Sequence, residues 1–159
     1  MIVQTVAVFI RPYQPSDLDA VITIFERAVR EVASAHYTPA QIDAWAHTER
    51  KERRKARLSR PTWIAEMSGE PVGFSDLEED GHLDMMFVHP AFQGQGIASA
   101  LLNTVESAAR KQSLTMIYTE ASLSARPFFE RRGFTVITPQ TVKCRGQKLA
   151  NFQMRKSLT

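Results

Sequence analysis

Two neighbouring stretches of the chain carry residue types that do chemistry. Gln93-Gly94-Gln95-Gly96 follows an apolar run, Met85-Met86-Phe87-Val88, that stops at Pro90, and it precedes Ile97, where apolar residues begin to recur at helical spacing. A glycine pair in that position lets main-chain N–H groups gather at the start of a helix, whose dipole favours negative charge. Such a helix end suits a diphosphate. Just upstream, side-chain alternation along a strand puts residues 82 and 84, His82 and Asp84, on one face. An imidazole titrating at about 6.5 relays protons near neutral pH. Each feature also has a plainer reading: a glycine pair is often only a turn, and His82 beside Gly81 is also a solvated turn residue with Asp84 in a structural role.

The elements around these stretches narrow the choice. Residues 6–11 alternate as a strand, and Ser16 then reads as a helix N-cap, with Asp19 at the capping-box position. Leu18, Val21, Ile22, Phe25, Val29 and Val32 form the apolar stripe of that helix. Thr38-Pro39 opens a second helix with Ile42, Trp45 and Ala46 inward. Residues 63–65, 71–77 and 82–88 read as a three-strand meander, turning at Ser68-Gly69 and Asp80-Gly81. Ile97, Leu101, Leu102, Val105 and Ala109 anchor the helix behind the glycine loop. Residues 116–121 follow as a strand parallel to its neighbour, then a short helix stopping at Gly133, then a hairpin of residues 136–145 and 148–154 around Gly146. A nicotinamide-binding fold needs its glycine fingerprint in the first strand-loop-helix unit; here the pair lies in mid-chain, which excludes that fold.

The chain has 159 residues, a net charge of +3 and 43% hydrophobic content, which fits one soluble domain spanning residues 1–159. The apolar start carries no basic leader and runs into Arg11-Pro12, so neither a secretory signal nor a membrane span is expected, and the location expected is cytoplasmic. The single cysteine, Cys144, makes no intrachain disulfide, and the four histidines show no metal-ligand spacing, so no metal is expected. Arg50, Lys51, Arg53, Arg54, Lys55, Arg57 and Arg60 crowd one segment. A nucleic-acid surface is one reading; a solvated helix face is favoured, because no aromatic residues interleave for base stacking.

Gln93-Gly94-Gln95-Gly96-Ile97-Ala98, taken with Ile10-Arg11-Pro12 near the start and Phe128-Phe129-Glu130-Arg131-Arg132-Gly133-Phe134 near the end, resembles the GNAT superfamily of acyl-CoA N-acyltransferases over most of the chain. The resemblance implies an α/β fold of α+β type: a mixed sheet of six to seven strands, splayed between the fourth and fifth, flanked by about four helices. It implies acetyl-CoA as co-substrate, with the amides from Gly94 to Ala98 on its pyrophosphate. The cofactor-binding set it implies is Phe87, Val88, Gln93, Gly94, Gln95, Gly96, Ile97, Ala98, Ser122 and Phe129. It also assigns His82 as general base and Asp84 as orienter or second proton carrier, with a strand N–H at or just before Val88 as oxyanion donor. Two positions depart from the family pattern. Phe129 stands where many relatives have the tyrosine that protonates the leaving thiolate, and Ser122 stands where an asparagine often binds pantetheine.

Acyl transfer to an amine must also overcome protonation of the amine, since an alkylamine resembling lysine titrates at about 10.4. Tyr118, Cys144 or water are the replacements for the missing acid, Tyr118 being favoured as a packed strand aromatic. Acids at Asp76, Glu78, Glu79 and Asp84 would attract a cationic amine, and Tyr37 and Trp45 are candidates for the substrate lip. The activity expected is N-acetylation of a small-molecule or peptide amine by direct attack in a ternary complex, with a homodimer as one assembly. A non-catalytic acyl-CoA sensor is the alternative, motivated by Phe129.

Overall fold

The computed structural model describes residues 7–159. Its elements run β1 (Phe9–Pro12), α1 (Leu18–Glu31), α2 (Pro39–Ala46), α3 (Arg50–Ser59), β2 (Thr62–Met67), β3 (Glu70–Asp76), β4 (Met86–Val88), α4 (Ile97–Lys111), β5 (Met116–Ser122), α5 (Arg126–Arg131), β6 (Thr135–Cys144) and β7 (Gln147–Ser157). Residue 6, the start of the strand expected over 6–11, lies outside the described residues.

The strands form two antiparallel sheets, β1-β2-β3-β4 and β5-β7-β6. They touch through one parallel bridge between His82 and Tyr118, where the Leu83 N–H donates to the Tyr118 carbonyl at 2.9 Å and the Tyr118 N–H to the Gly81 carbonyl at 3.1 Å. Gly81 has φ +98°, and a Cβ there would stand 2.6 Å from the Met116 carbonyl oxygen, so only glycine lets the sheets meet so closely. Beyond this hinge β4 and β5 diverge. That divergence is the splay expected between the fourth and fifth strands.

Helices cover both faces of the first sheet, so β2 and β3 are buried nearly throughout. Val21, Ile24, Phe25 and Val29 of α1 pack with Ile64 and Phe74 on one face; Ile97 and Leu101 of α4 pack with Ala65 and Val72 on the other. Farther along α4, Leu102, Val105 and Ala109 close over Leu83, Ile117 and Met154, joining the second sheet to the core.

Local chemistry explains where the elements depart from expectation. The first helix begins at Leu18, behind a 3-10 turn, because the Asp17 carboxylate takes the Gln14 N–H at 2.8 Å and two bonds from Arg11 at 2.8 and 2.9 Å. Its inner stripe uses Ile24 and Ala28; Ile22 is half-buried and Val32 is exposed. The second helix begins as read, with Thr38 and Gln41 in a reciprocal capping box and Pro39 at its first position. The strand expected over 82–88 shortens to Met86–Val88. One oxygen of Asp76 accepts the N–H groups of both Asp84 and Met85 at 2.9 Å, which pulls that backbone out of the ladder.

The basic segment is a third helix that the apolar pattern does not announce, and it is not simply a solvated face. Arg57 is buried against Asp76 at 2.9 Å, both side chains being 0% exposed. No helix among the described residues is long and apolar enough to cross a membrane.

Candidate active site

Two cavities line the gap between the diverging strands. The larger, about 510 Å³, lies between β4 and β5 and reaches the start of α4; the smaller, about 350 Å³, lies on the α2–α3 side. They share walls at Trp45, Phe87 and Ser122. Of the cofactor-binding residues implied by the sequence, Phe87, Val88, Gln93, Gly94, Gly96, Ile97, Ala98, Ser122 and Phe129 line the larger cavity, while Gln95 does not.

The loop into α4 is open to an anion. Gly94 and Gly96 sit at φ +76° and +79° with nothing within 4 Å of where a Cβ would be. No side chain caps the helix, and the first N–H to find a carbonyl is that of Ala100, donating to Gly96. The amides of Ile97, Ala98 and Ser99 are therefore unpaired among the described residues and point out of the helix end. Arg132 adds a positive charge there, donating to the Ser99 hydroxyl, and Arg131 also lines the cavity. Arg126, on the same short helix, is occupied by Glu130 and by the Phe152 ring.

Strand β4 presents its free polar groups to the gap. The His89 N–H donates to Val72 and the Asp76 N–H to Met85, and the register pairs Phe74 with Phe87. Alternation in an antiparallel ladder then turns the Phe87 N–H and C=O toward β3 and those of Met86 and Val88 into the gap. The Gln93 side chain takes the Val88 carbonyl at 3.1 Å, leaving the Val88 N–H and both Met86 groups for a ligand running alongside. Phe87 contributes its ring, within an aromatic cluster with Phe25, Phe74 and Trp45. On the opposite wall the Ser122 hydroxyl accepts the Ala125 N–H at 3.1 Å, which leaves its own proton to donate. Phe129 is buried against Phe128 and Phe134 and offers only carbon.

The structure brings His82 and Asp84 within one cluster with Glu78, but their partners differ from those expected. Both His82 ring nitrogens are held by carboxylates: Nδ1 lies 2.7 Å from Glu78, and Nε2 lies 2.8 and 3.0 Å from the two oxygens of Glu120. The Glu120 bond, then the Glu78 bond, outweigh the cost of burial and push the imidazole up to about 9. His82 is thus an imidazolium at neutral pH. Asp84 bonds Arg60 at 3.1 Å, so Glu78 and Glu120 orient the ring. Arg60 also reaches Glu78 at 3.1 Å, which places a cation among these acids.

Tyr118 stacks on the imidazole at 4.8 Å and gives its hydroxyl to Asp80; that bond pushes it up to about 12. It lines neither cavity.

The smaller cavity holds residues that sequence reasoning missed. Its polar lining includes Arg53, Asp84, Glu120, Lys143 and Asn151, set among Phe25, Trp45, Phe87, Val142 and Leu149. Glu120 shares a strand face with Tyr118 and Ser122, so period-two alternation counted from Ser122 contained the signal for it. Arg53 reaches inward from α3, its guanidinium 4.1 Å from the centre of the Phe25 ring. Tyr37 also lines this cavity, with its hydroxyl donating to the Ala150 carbonyl at 2.7 Å and accepting the Leu123 N–H at 3.0 Å, which joins the segment before α2 to the second sheet. Cys144 is half-buried on the cavity wall with its thiol toward the Ala44 carbonyl at 3.4 Å.

A split sheet with unpaired amides at one end of the split and a mixed-charge cavity at the other defines an acyl-carrier transferase architecture, and comparison with known proteins agrees. The family model described as "Acetyltransferase (GNAT) domain" matches residues 33–158. The Uncharacterized N-acetyltransferase YafP of Escherichia coli (strain K12) is 41% identical over 146 residues, covering 92% of this chain and 93% of that protein. A crystal structure of a GCN5-related N-acetyltransferase from Rhodopseudomonas palustris, described as "Aminotransferase, Class-II", superposes with TM-score 0.92 at 31% identity, covering 99% of this chain and 98% of that one. The PaiA N-acetyltransferase of Thermoplasma acidophilum, solved in complex with coenzyme A, shares the fold at TM-score 0.75 and 17% identity, covering 95% and 99%. The chain belongs to the GNAT acetyltransferase family.

Proposed function

We propose that the protein transfers the acetyl group of acetyl-CoA to a primary amine by direct attack in a ternary complex. The observation that carries this reading is the shared wall: a cavity bearing the unpaired amides of Ile97, Ala98 and Ser99 meets, at Phe87 and Ser122, a second cavity bearing carboxylates. Coenzyme A bound to the Thermoplasma relative supports the choice of carrier. When bound, acetyl-CoA supplies an acetyl thioester.

In this reading the α4 amides with Arg132 hold the diphosphate, and the N–H and C=O of Met86 pair with the pantetheine arm as a further strand would. The Val88 N–H donates to the carbonyl oxygen as negative charge develops there. Glu120 accepts the proton of the acceptor amine, directly or through one water, while His82 and Glu78 fix its carboxylate and Asp84 keeps the mouth of the cavity acidic. The amine nitrogen bonds to the acetyl carbon as the carbon–sulfur bond breaks. The sulfur leaves as a thiolate, with the Ser122 hydroxyl as the donor nearest the shared wall. Assigning the base to Glu120 moves that role from His82, because a doubly bonded imidazolium has no lone pair to offer at pH 7.

Incubation of the protein and acetyl-CoA with a panel of primary amines, reading release of free thiol, tests the proposal. Turnover of at least one amine is expected. Binding of acetyl-CoA without turnover of any amine would instead favour the sensor, and trapped acetyl on Cys144 would replace direct attack with a covalent route.

A further inference from the structure

Among the charged side chains lining the smaller cavity, Arg53 stands apart. Glu120 is bonded to His82, Asp84 to Arg60, and Lys143 is exposed to solvent. Arg53 is half-buried and has no carboxylate partner among the described residues; its one side-chain hydrogen bond goes to the thioether of Met85 at 3.4 Å. The Arg53 guanidinium lies over the face of Phe25 and bonds only a thioether within the protein, and burial with Arg57 nearby lowers its pKa from the ordinary value. A buried atom without a partner lines the same cavity. The Asn151 side-chain oxygen is buried without a hydrogen-bond partner, and Asn151 sits directly across the ladder from Ser122, on the wall shared with the larger cavity.

A buried polar atom without a partner on a cavity wall is a place where a ligand completes the bonding. Here the Asn151 oxygen is such an acceptor, and Arg53 faces the same cavity as a half-buried cation with no carboxylate beside it. The acceptor lies at the end of the cavity nearest the acyl-transfer point, with the Glu120 carboxylate also on the lining. The donor is carried by α3. Between them the walls are carbon, from Phe25, Trp45, Val142 and Leu149.

We propose, resting on the acetyltransferase reading above, that the acceptor is an amine that also carries a carboxylate beside an apolar body, as an apolar α-amino acid does. Its nitrogen lies against Asn151 and Glu120, and its carboxylate is taken by Arg53. A simple alkylamine would leave Arg53 without a carboxylate in the complex, as it is in the free protein. A polyamine would bring a second positive charge toward it.

The test uses matched pairs that differ only in the carboxylate: phenylalanine against phenethylamine, and leucine against isoamylamine. Thiol release measures kcat/KM, and calorimetry with saturating coenzyme A measures binding independently of turnover. The expected result is a preference for the amino acid of at least about tenfold, the scale of one charge-assisted bidentate pair. In Arg53→Met, whose side chain still covers Phe25, the ratio falls toward one through a rise in KM for the amino acid. Arg53→Lys keeps the charge without the fork and falls between.

Amines converted with no preference, or with the decarboxylated partner preferred, would overturn the inference and leave the acetyltransferase reading intact. Amino acids that bind through Arg53 but are not converted would support the inference while defeating that reading. Neither conversion nor binding of any amino acid would overturn the inference, as would a preference that survives in Arg53→Met. Should Arg53→Met fail to fold, the wild-type pairs and Arg53→Lys decide.

Discussion

The two ends of the gap present polar groups from different parts of the chain. At the α4 end the working atoms are main-chain N–H groups, exposed because Gly94 and Gly96 take up positive φ and no side chain caps the helix. At the other end they are side chains contributed by α3, β5, β7 and the segment before β4, held in place by a buried ion pair. A backbone site depends on a few consecutive residues and tolerates change around it. A side-chain site assembled from distant segments depends on the scaffold that brings them together.

The sharpest way to break this contrast is Glu120→Gln. Loss of about 10²- to 10⁴-fold in kcat is expected at pH 7, the usual worth of a positioned general base, with coenzyme A affinity unchanged by calorimetry. An unaltered rate would take the proton-accepting role from Glu120 and return it to His82.

The scaffold is tested by Arg57→Met, which removes the hydrogen-bonded cation from the Asp76 carboxylate at a site with 0% exposure and leaves only Arg60, at 3.8 Å. Denaturant unfolding should show a loss of about 3–5 kcal/mol, because a buried charge is left without its partner. Burial, outweighing the pull of Arg57, already raises Asp76 above the ordinary carboxylate range, so the loss should shrink as the pH is lowered and Asp76 protonates. A loss under about 1 kcal/mol would mean that the pair does not support the cavity wall.

Gly96→Val addresses the opposite end. A β-branched residue at φ +79° costs about 1–3 kcal/mol of backbone strain, so coenzyme A should bind roughly 10- to 100-fold more weakly while the acceptor cavity is untouched. Unchanged affinity in calorimetry would show that the amides do not hold the diphosphate.

The smallest effect is the pH dependence of the His82 clamp. The imidazole is raised from 6.5 to about 9, so its contribution to stability is fully present below pH 6.5 and is lost as the pH rises through 9. With the Glu78 and Glu120 side chains 35% and 36% exposed and screened by solvent, about 1–2 kcal/mol should disappear across that window. His82→Gln should flatten the profile; a profile that stays the same would place the titration elsewhere.

Legibility in the sequence follows the same division. The glycine loop, the helix behind it, the Thr38-Pro39 helix start and the closing hairpin are local, each written in a few adjacent residues, and each reading agrees with the structure. Helix α3 reads only as a solvated face because its sequence, RKERRKARLS, has almost no apolar period; what it buries is an arginine, and burial of Arg57 makes sense only with Asp76, nineteen residues away, in view. The strand over 82–88 was overextended for a related reason: the side chain of Asp76, on the neighbouring strand, captures two of its amides. Arg53 and Asn151 could not be singled out, since a missing partner is defined by what surrounds the group. Glu120 was within reach of a simple alternation count.

Arg53 and Arg57 are separated by one helical turn on α3, yet one is locked to the core and the other faces a cavity. The locked arginine fixes the helix, and through Asp76 it also fixes the wall opposite, so the distance across the cavity is set before any acceptor arrives. Position 53 can therefore be exchanged for a residue suited to a different acceptor at little expense to folding. Position 57 has no such latitude, so under the proposed role of Arg53 selectivity would be free to drift at one rung of a helix whose next rung cannot move.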